Sequence, residues 1–319
     1  MLKKIGICAC LLLLLVPASG QQFVSLFDKY NFDNGRGYFR PLFFGIRQGL
    51  STGYAFDPHI PKRSFRARFS LHGTATFFPA STRTYQATTD SYFTPEQSVE
   101  APTVVGSREG VSVSGDGGAV YRFPGGAGIG MVPLAVPQLS IGGFLGIEMS
   151  WRLGYYQNPA VGRIILSGAS FHFSLSQFFG PDPAVDLIFG SNSHFLAYSY
   201  LSEDLSDLRQ FQQYEYGINL LAGKSWKPFR VYGGPNFSVG RSLLSVFAAQ
   251  GSVDVNLNTG LQLNPSFTTG AGLDLHPFFL SVDGTFGRVT VVHTVIGVTL
   301  GKKEKTVPLI RTPLTPSSL

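Results

Sequence analysis

The chain has 319 residues, of which 44% are hydrophobic and only 14% are charged. This balance excludes an intrinsically disordered protein, which would carry few apolar residues and many charges. After residue 20 the sequence has no run of about 18 apolar residues, the length that a transmembrane helix requires, so its 38 glycines, 28 phenylalanines and 13 tyrosines favour β-structure.

The first element is a leader. Two lysines precede an apolar run over residues 5–16, and the small residues Ala18 and Gly20 follow it. A positive start, a run of about a dozen apolar residues and small residues at the −3 and −1 positions are typical of a secretory signal peptide. We therefore predict a signal peptide over residues 1–20, with a retained membrane anchor as the alternative.

The leader contains the only cysteines, Cys8 and Cys10. Its removal would leave a chain without disulfides or thiolate metal sites. It would also leave 25 − 2 = 23 basic against 19 acidic residues, and the basic residues are dispersed. No nucleic-acid partner is therefore expected.

Residues 21–63 do not alternate, and we interpret them as an N-terminal plug or periplasmic segment. Within them, Tyr38 to Leu50 could form a short amphipathic helix, with Pro41 tolerated in its first turn. Such a helix could plug a barrel from the periplasmic side or lie beside it. An ordered loop is the alternative.

From residue 64 onward the strongest signal is a period of two. Apolar residues take the odd positions from Phe65 to Phe77, with polar residues between them. Strands in soluble proteins usually run about five or six residues, whereas a strand that crosses a bilayer needs about 9–11. Most of the alternating segments reach that length, and they cover residues 64–78, 139–153, 163–176, 185–201, 213–226, 229–240, 261–276, 278–287 and 290–301.

The connections between these segments alternate in length. Very short ones occur at 180–183, 227–228 and 277, each flanked by aromatic residues, and longer polar ones fall between them. Outer-membrane barrels have tight periplasmic turns and longer outer loops. If the tight turns face the periplasm, one inward strand is missing before residue 139, and we assign it to Gly110–Phe123. Residues 80–109 then form a long exposed loop.

These observations predict an all-β protein: an antiparallel transmembrane β-barrel of about ten strands over residues 64–301, with a short N-terminal helical plug. The expected location is the outer membrane, and lipid is the expected partner. Residues 302–319, which are charged and contain prolines, are predicted to be a disordered tail.

Four segments carry a family resemblance: YFRPLFFGIRQGLSTGYA (38–55), PTVVG (102–106), MVPLAVPQLSIG (131–142) and GASFHFSLSQFF (168–179). Through them the chain resembles uncharacterised β-barrel families exported by Bacteroidota. More loosely, it looks like the FadL-type transporters of fatty acids and aromatic hydrocarbons. That resemblance implies an outer-membrane barrel with an N-terminal hatch and diffusion of apolar molecules.

If the apolar face meets lipid, the other face lines the lumen, because a charge on the lipid face would cost about 2–4 kcal/mol near the midplane. These residues could form a structural network that fills a narrow barrel, or they could line a selective pore. The predicted lumen-lining residues are Arg66, Arg68, His72, Glu148, Arg152, His172, Asp186, His194, Glu215, Arg230, Asp274, His276, Asp283 and His293.

The leading hypothesis for function is passive passage or capture of small or apolar molecules, without covalent chemistry, cofactor or metal. A barrel that binds a partner through its outer loops is the alternative. A minor one is a lipid-modifying hydrolase, because His172 and Ser174 share one face of a strand and Asp182 and Asp186 follow. A soluble secreted β-sandwich is the last alternative.

Overall fold

The computed structural model describes residues 32–158, 162–179, 184–201, 207–226, 228–248 and 253–301. They form one long helix, three short 3₁₀ turns and fifteen strands. The elements are α1 (Phe32–Ser51), β1 (Arg63–Phe77), β2 (Thr84–Thr88), β3 (Ser98–Pro102), β4 (Val111–Ser114), β5 (Val120–Phe123), β6 (Met131–Phe144), β7 (Ile147–Asn158), β8 (Gly162–Ser174), β9 (Asp186–Leu201), β10 (Asp207–Trp226), β11 (Phe229–Ala248), β12 (Val253–Asn258), β13 (Gln262–Leu275), β14 (Phe278–Phe286) and β15 (Thr290–Gly301).

Ten antiparallel strands close into a barrel. They are β1, β6 to β11, and β13 to β15, and each pairs with two neighbours. The closure is made where β1 pairs with both β6 and β15, and where β10 pairs with both β9 and β11. A closed barrel has no open edge that could pair with another chain. The predicted all-β barrel of ten antiparallel strands is therefore confirmed.

The barrel is apolar on the outside and polar on the inside. On β1, the outward side chains Phe69 and Leu71 are 51% and 50% exposed, whereas Arg68 and His72 on either side of this pair are 2% and 1% exposed. Successive side chains of a strand point to opposite faces of the sheet. The alternation seen in the sequence therefore separates an apolar outer surface from a polar lumen, the reverse of a soluble protein.

The two ends of the barrel differ. At one end, which we call the tight-turn end, β6 joins β7 through residues 145–146, and β13 joins β14 through residues 276–277. At the other end, which we call the long-loop end, 53 residues (78–130) connect β1 to β6. This contrast agrees with the connection lengths predicted from the sequence.

Helix α1 lies in the lumen and contacts the barrel wall along its length. It begins at Phe32, six residues before the predicted start, so Pro41 lies inside the helix and not in its first turn. The fit is tight: a Cβ atom at Gly49 would stand 2.9 Å from Thr76 Oγ1. Its first residues lie at the long-loop end, not at the tight-turn end that the sequence analysis assigned to the periplasm.

The prediction of a barrel strand at Gly110–Phe123 was wrong. Those residues form the two-stranded hairpin β4–β5, which lies outside the barrel sheet. The missing strand is β6, and it pairs with β1 along residues 131–144. Its inward side chains Val132, Leu134 and Val136 are buried and apolar, so no alternation between apolar and polar residues marks the first half of the strand.

The segment 139–153, which was predicted as one strand, contains the end of β6, the turn and the start of β7. Ile141 pairs with Met149 across the hairpin, and both of these odd-numbered residues face outward. The two-residue turn pairs Phe144 with Ile147 and by itself would exchange odd and even positions, but the register shift between Gly142 and Phe144 restores them, so the alternation continues from one strand into the next. The count of ten survives because one segment contained parts of two strands and the other predicted strand was not in the barrel.

The connection over residues 78–130 is folded. Hairpin β2–β3 lies within it, and Ala87, Ala101 and Phe123 form a small apolar core. The predicted long exposed loop at 80–109 is therefore an ordered element that covers the long-loop end. The predicted signal peptide over 1–20, the disordered tail over 302–319 and the turn at 180–183 lie outside the described residues.

The assignment of β6 leads to a first prediction. Replacing residues 112–122 by two glycines should leave the barrel intact, because Val111 pairs with Phe123 and the cut ends are already adjacent. The refolded variant should keep its β circular-dichroism signal and the shift in gel mobility on boiling that folded barrels give.

The same replacement of residues 133–143 serves as the matched comparison. It should abolish both signals, because it removes the strand that joins β1 to β7. An intact barrel after the second replacement, or a lost one after the first, would contradict this strand order.

Candidate functional site

The predicted lumen residues fall into three groups. Ten of the fourteen are buried inside the barrel, namely Arg68, His72, Glu148, Arg152, His172, His194, Glu215, Arg230, Asp283 and His293. Arg66 and Asp186 are partly buried near the tight-turn end. Asp274 and His276 are exposed beside the 276–277 turn, so the structure does not bring them to the others.

A cluster of four charged side chains lies near the tight-turn end. Asp57 Oδ2 accepts hydrogen bonds from Arg66 Nη1 at 2.8 Å and from Arg68 Nη1 at 2.9 Å. Glu148 accepts from Nη2 of the same two arginines, at 3.0 Å from Arg66 and 2.5 Å from Arg68. Two carboxylates thus bridge two guanidinium groups, which satisfies charges that would be costly to bury alone.

An aromatic side chain from the chain segment between α1 and β1 completes this cluster. Phe56 stacks on Phe279 with ring centroids 5.1 Å apart, and the Arg68 guanidinium lies 4.4 Å from the Phe56 centroid. Burial would raise the pKa of Asp57, but Arg66, Arg68 and Arg230 together hold it below its usual range. We call α1 and residues 52–62, which run through the lumen, the threaded segment. Asp57 is therefore an anionic anchor for the end of the threaded segment that lies near the tight turns.

Arg152 holds the C-terminal end of α1. Its Nη1 donates to the carbonyl oxygens of Leu50 at 2.8 Å and Thr52 at 3.0 Å, and its guanidinium lies 3.8 Å from the centroid of the Tyr54 ring. Its Nε donates to Gln138 at 2.8 Å. The last carbonyls of a helix have no partner inside the helix, and Arg152 supplies one with a favourable charge.

A chain of hydrogen bonds continues from Arg152 across the wall. His72 Nδ1 lies 3.2 Å from Arg152 Nη2 and 3.0 Å from His293 Nε2. His293 Nδ1 lies 2.9 Å from Asp283 Oδ2, which also accepts from Tyr232. Because guanidinium groups only donate, His72 Nδ1 is an acceptor, and a neutral ring then donates from Nε2 to Ser70 at 2.8 Å. A base that activates a serine needs the opposite arrangement.

Closer to the long-loop end, α1 contacts β10. Arg47 Nε lies 3.3 Å from Glu215 Oε2, and both side chains are almost fully buried. Gln213 donates to the Phe43 carbonyl at 2.8 Å, and Thr76 donates to the Gly45 carbonyl at 3.2 Å. These bonds tie the helix to opposite sides of the wall.

A polar cavity lies between the end of α1 and strands β9, β10, β11 and β13. Its lining includes Thr52, Asn192 and Asn219. A side-chain oxygen of each of these residues is buried and has no hydrogen-bond partner among the described residues. Buried oxygens of this kind are satisfied by ordered water in proteins, and the cavity has space for a few water molecules.

The folded connection at the long-loop end holds the start of α1. Asn34 donates to the Thr88 carbonyl at 2.6 Å and accepts from the Thr88 amide at 3.0 Å. Tyr38 donates to the Gly125 carbonyl at 2.8 Å, and burial raises the pKa of its hydroxyl to about 12. The helix is thus held at both ends.

The structure does not bring the residues of the hydrolase hypothesis into a catalytic arrangement. His172 and Ser174 are both buried, and neither ring nitrogen of His172 has a hydrogen-bond partner within the described part of the chain. Asp186 instead lies 3.4 Å from His59, while Asp182 is outside the described residues. Among the described residues, no group of three or more His, Cys, Asp or Glu side chains could hold a metal ion.

Several important residues were not among the predicted ones. Arg47 and Asp57 lie on the threaded segment, and Gln138 and Gln213 lie on the wall. Helical spacing within the predicted 38–50 helix could have pointed to Arg47. Asp57 follows the helix in a segment without periodicity, so no sequence signal identified it.

Comparison with solved structures finds outer-membrane proteins. Outer membrane protease OmpT from Escherichia coli is 11% identical, with 78% of this chain and 98% of that chain covered and a TM-score of 0.34. The toluene transporter TodX from Pseudomonas putida is 9% identical, with 75% and 70% covered and a TM-score of 0.27. The transport unit of the autotransporter AIDA-I from Escherichia coli is 9% identical, with 86% and 100% covered and a TM-score of 0.35.

Two further comparisons concern sequence. The model of a family described as "Family of unknown function (DUF6588)" matches residues 2–300. No curated protein matches the chain.

Within the described residues, no helix is long and apolar enough to cross a membrane.

The charge cluster leads to a second prediction. Asp57→Asn should lower the free energy of unfolding by roughly 3–5 kcal/mol, because it leaves two buried arginines with one carboxylate. The folded-state pKa of Asp57 is depressed, so its stabilisation is complete above the unfolded pKa of about 3.9 and is lost as the pH falls below it. Denaturant titration of both proteins between neutral and acidic pH measures the difference.

Asp33→Asn is the matched control, because Asp33 forms an exposed pair with Arg36 at 3.6 Å. Its effect should stay within about 1 kcal/mol at every pH. A difference between the unsubstituted protein and Asp57→Asn that does not shrink in acid would contradict the role of the carboxylate.

Proposed function

We propose that this chain, which belongs to the family of unknown function DUF6588, is an outer-membrane β-barrel that passes small polar solutes only while its N-terminal helix is displaced. The observation that carries the proposal is the partition of the wall, with apolar side chains outside and ionisable ones inside. The rest follows from what fills the lumen.

The outer surface fits a hydrocarbon environment. Large apolar side chains are exposed on every side of the barrel, for example Phe69 on β1, Phe171 on β8, Phe237 on β11 and Ile296 on β15. In water such a surface would be strongly unfavourable and would aggregate. Tight turns face the periplasm in outer-membrane barrels, so the tight-turn end is assigned to the periplasm and the long-loop end to the cell exterior.

The lumen is closed at rest by α1 and the segment over residues 52–62. Within the described residues, α1 and this segment are joined to the wall covalently only where β1 begins, and several of their contacts with the wall are polar bonds that water could replace, such as Thr76 to Gly45 and Asn192 to Ser51. Displacing the helix would therefore leave the strand pairing of the barrel intact. This arrangement is that of a plug.

The character of the lumen favours polar over apolar solutes. The wall residues around the half of α1 nearer the tight-turn end are charged or carry amides and hydroxyls, such as Arg152, Gln138 and Asn192. An apolar molecule would have to strip water from these groups without replacing their hydrogen bonds. Transport of apolar molecules, as expected from the resemblance to FadL-type transporters, stays a prediction without support from this lining.

One observation favours a second function, binding of a partner outside the cell. The long connection over residues 78–130 has its own hairpins and its own small core, and Tyr92 on it is 95% exposed. An ordered surface element of this kind could bind a partner without any passage through the lumen. Solute flux that stays absent after removal of the plug from a folded barrel would favour this function.

The membrane assignment leads to a third prediction. Leu71→Arg, at the middle of β1, should lower the free energy of folding into lipid vesicles by about 2–4 kcal/mol, because it puts a charge in the hydrocarbon core. Urea titration of folding into vesicles measures this change. Tyr92→Arg is the control, and it should change the free energy by no more than about 0.5 kcal/mol.

If Leu71→Arg changed the free energy as little as Tyr92→Arg, the outer surface would not lie in hydrocarbon. A soluble secreted protein would then become the better interpretation.

The plug leads to a fourth prediction. A Cβ at Gly49 would stand 2.9 Å from the γ oxygen of Thr76, a separation that suits the sulfur of a disulfide partner. Gly49→Cys combined with Thr76→Cys should therefore lock α1 to β1 when oxidised. In planar bilayers, the locked protein should stay closed, deletion of residues 32–51 should give lasting conductance, and the unsubstituted protein should open only transiently.

Reduction of the double variant should restore the behaviour of the unsubstituted protein, and Thr76→Cys alone should not respond to oxidant. Conductance of the locked protein equal to that of the unsubstituted one would contradict the role of α1 as a plug. A mobility shift on boiling verifies that each variant has folded.

A further inference from the structure

The rim of the barrel at the long-loop end is low where β14 turns into β15. Strand β14 ends at Phe286, which pairs with Phe267 of β13, and β15 begins at Thr290. The neighbouring wall continues further, because residues 262–266 of β13 pair with β11, and β12 pairs with β11 beyond them. The short turn over residues 287–289 therefore lies in a notch of the rim.

Helix α1 meets this turn through an aromatic ring. Phe44 is 5% exposed, and the Cζ atom of Arg288 in the turn lies 5.6 Å from the centroid of its ring. The Cζ atom of Arg47, one turn further along the helix, lies 5.1 Å from the same centroid. A guanidinium group is attracted to the face of an aromatic ring. Phe44 thus brings together one arginine of the helix and one of the wall.

A third arginine lies on the same face of the helix. Arg40 comes four residues before Phe44, and residues four apart are neighbours on a helix surface. Both Arg40 and Arg288 lie within electrostatic range of Arg47. Arg47 is buried, whereas Arg40 and Arg288 are exposed to solvent. The three residues Arg40, Arg47 and Arg288, which we call the arginine cluster, form a site with a buried floor and an open rim.

The arginine cluster has too few negative partners. Glu215 Oε2 lies 3.3 Å from Arg47 Nε and balances one of the three charges. Among the described residues, no carboxylate pairs with Arg40 or Arg288, and Arg36 on the next turn of the helix is paired with Asp33. Two positive charges are left over. Like charges held this close repel one another, and an anion between them would relieve the repulsion.

The surplus of charge and its geometry favour a phosphate group over a carboxylate. A phosphate monoester carries between 1.5 and 2 negative charges at neutral pH, roughly what the cluster lacks, and presents three strong acceptor oxygens. The planar fork of a guanidinium group matches two oxygens of a phosphate. Stacking on Phe44 holds two of the three forks in place before any ligand arrives.

We propose that the arginine cluster binds a phosphate group at the long-loop end of the barrel. The group belongs either to a soluble phosphate or to the headgroup of a lipid at the notch. Both sources offer the same chemistry, and the site itself depends only on the contacts around Phe44.

A phosphate bound there would connect the plug to the wall. Arg40 and Arg47 belong to α1, whereas Arg288 belongs to the turn between β14 and β15. Displacing the helix would separate the first two from the third and break the bridge. The bound phosphate would therefore favour the closed barrel, a consequence that rests on the proposed function.

Calorimetric titration of the refolded full chain with inorganic phosphate, in micelles of an uncharged detergent, tests the site. Arg40→Gln and Arg288→Gln should each weaken binding by about tenfold or more, because each removes a charged hydrogen-bond donor. Arg47 stays unchanged, since its loss would leave Glu215 buried without a partner.

Arg122→Gln is the matched control, because Arg122 is an exposed arginine of β5 outside the cluster. It should bind phosphate as the unsubstituted protein does. Absence of binding to the unsubstituted protein, or equal weakening by Arg122→Gln, would overturn the site. Acetate that bound as tightly as phosphate would overturn the choice of ligand. A mobility shift on boiling verifies that each variant has folded.

Mixed micelles distinguish the two sources of phosphate. Phosphatidic acid carries a phosphate monoester, and phosphatidylglycerol at the same molar fraction supplies a negative headgroup without one. Loss of the phosphate titration with phosphatidic acid alone would assign the site to a lipid headgroup. An unchanged titration with both lipids would assign it to soluble phosphate.

Planar bilayers of phosphatidylcholine test the effect on the plug. At constant ionic strength, inorganic phosphate on the side of the long-loop end should make the openings of the unsubstituted protein rarer and should leave those of Arg288→Gln unchanged. Openings that phosphate leaves unchanged in a protein that binds it would overturn the closing role alone. A protein that stays closed even after deletion of residues 32–51 would overturn the proposed function and the closing role with it, while calorimetry alone decides the site.

Discussion

The structure depends on the burial of a polar wall against a polar segment. A closed barrel with an apolar exterior must place its charged and hydrogen-bonding side chains inside, where most of them are removed from water. The end of a helix has the complementary problem, since its last carbonyl groups have no partners within the helix. Arg152 and Asn192 satisfy those carbonyls, and the helix end in turn satisfies them. The wall and the threaded segment thus supply hydrogen-bond partners to each other.

The lumen has two parts with different chemistry. Towards the long-loop end, the wall and α1 share an apolar cluster that includes Phe43, Phe211 and Leu134. Towards the tight-turn end, Asp57 and Glu148 bridge Arg66 and Arg68. Apolar packing resists displacement by excluding water, whereas the charged pairs could be rehydrated. A movement that lets solutes through must overcome both.

Close approach between helix and wall explains why small residues recur on α1. The space next to Gly49 is filled by Thr76, and the space next to Gly53, which has a φ of 72°, is filled by the ring of His293. Any side chain at Gly53 would need both an unfavourable backbone conformation and the volume that His293 occupies. Gly53 follows the C-terminal end of α1, and the chain can lie against the wall there only because nothing protrudes from it.

The length and alternation of the strands were sufficient to predict a barrel, because every crossing strand must show the same two faces. The count of ten was right only because the segment 139–153 contained parts of two strands and Gly110–Phe123 lies outside the barrel sheet. The same rule predicted that Arg68, Glu148, Arg152 and Asp283 lie inside. It failed for the first half of β6, where Val132, Leu134 and Val136 face α1 and make the inward side as apolar as the outward side. Alternation records the contrast between two environments, so it disappears where a third element covers one of them.

The sequence by itself determined the class of fold and the faces of the long strands, and it indicated an N-terminal helix with an ordered loop as the alternative, because these depend on local periodicity and on the chemistry of adjacent residues. Only the tertiary structure decided that the helix fills the lumen and that it enters from the long-loop end. It also decided that Arg47 pairs with Glu215, and that Asp57 pairs with the two arginines of β1. Those features depend on contacts between residues far apart in the chain. Period and spacing carry no information about which way a segment threads a closed ring of strands.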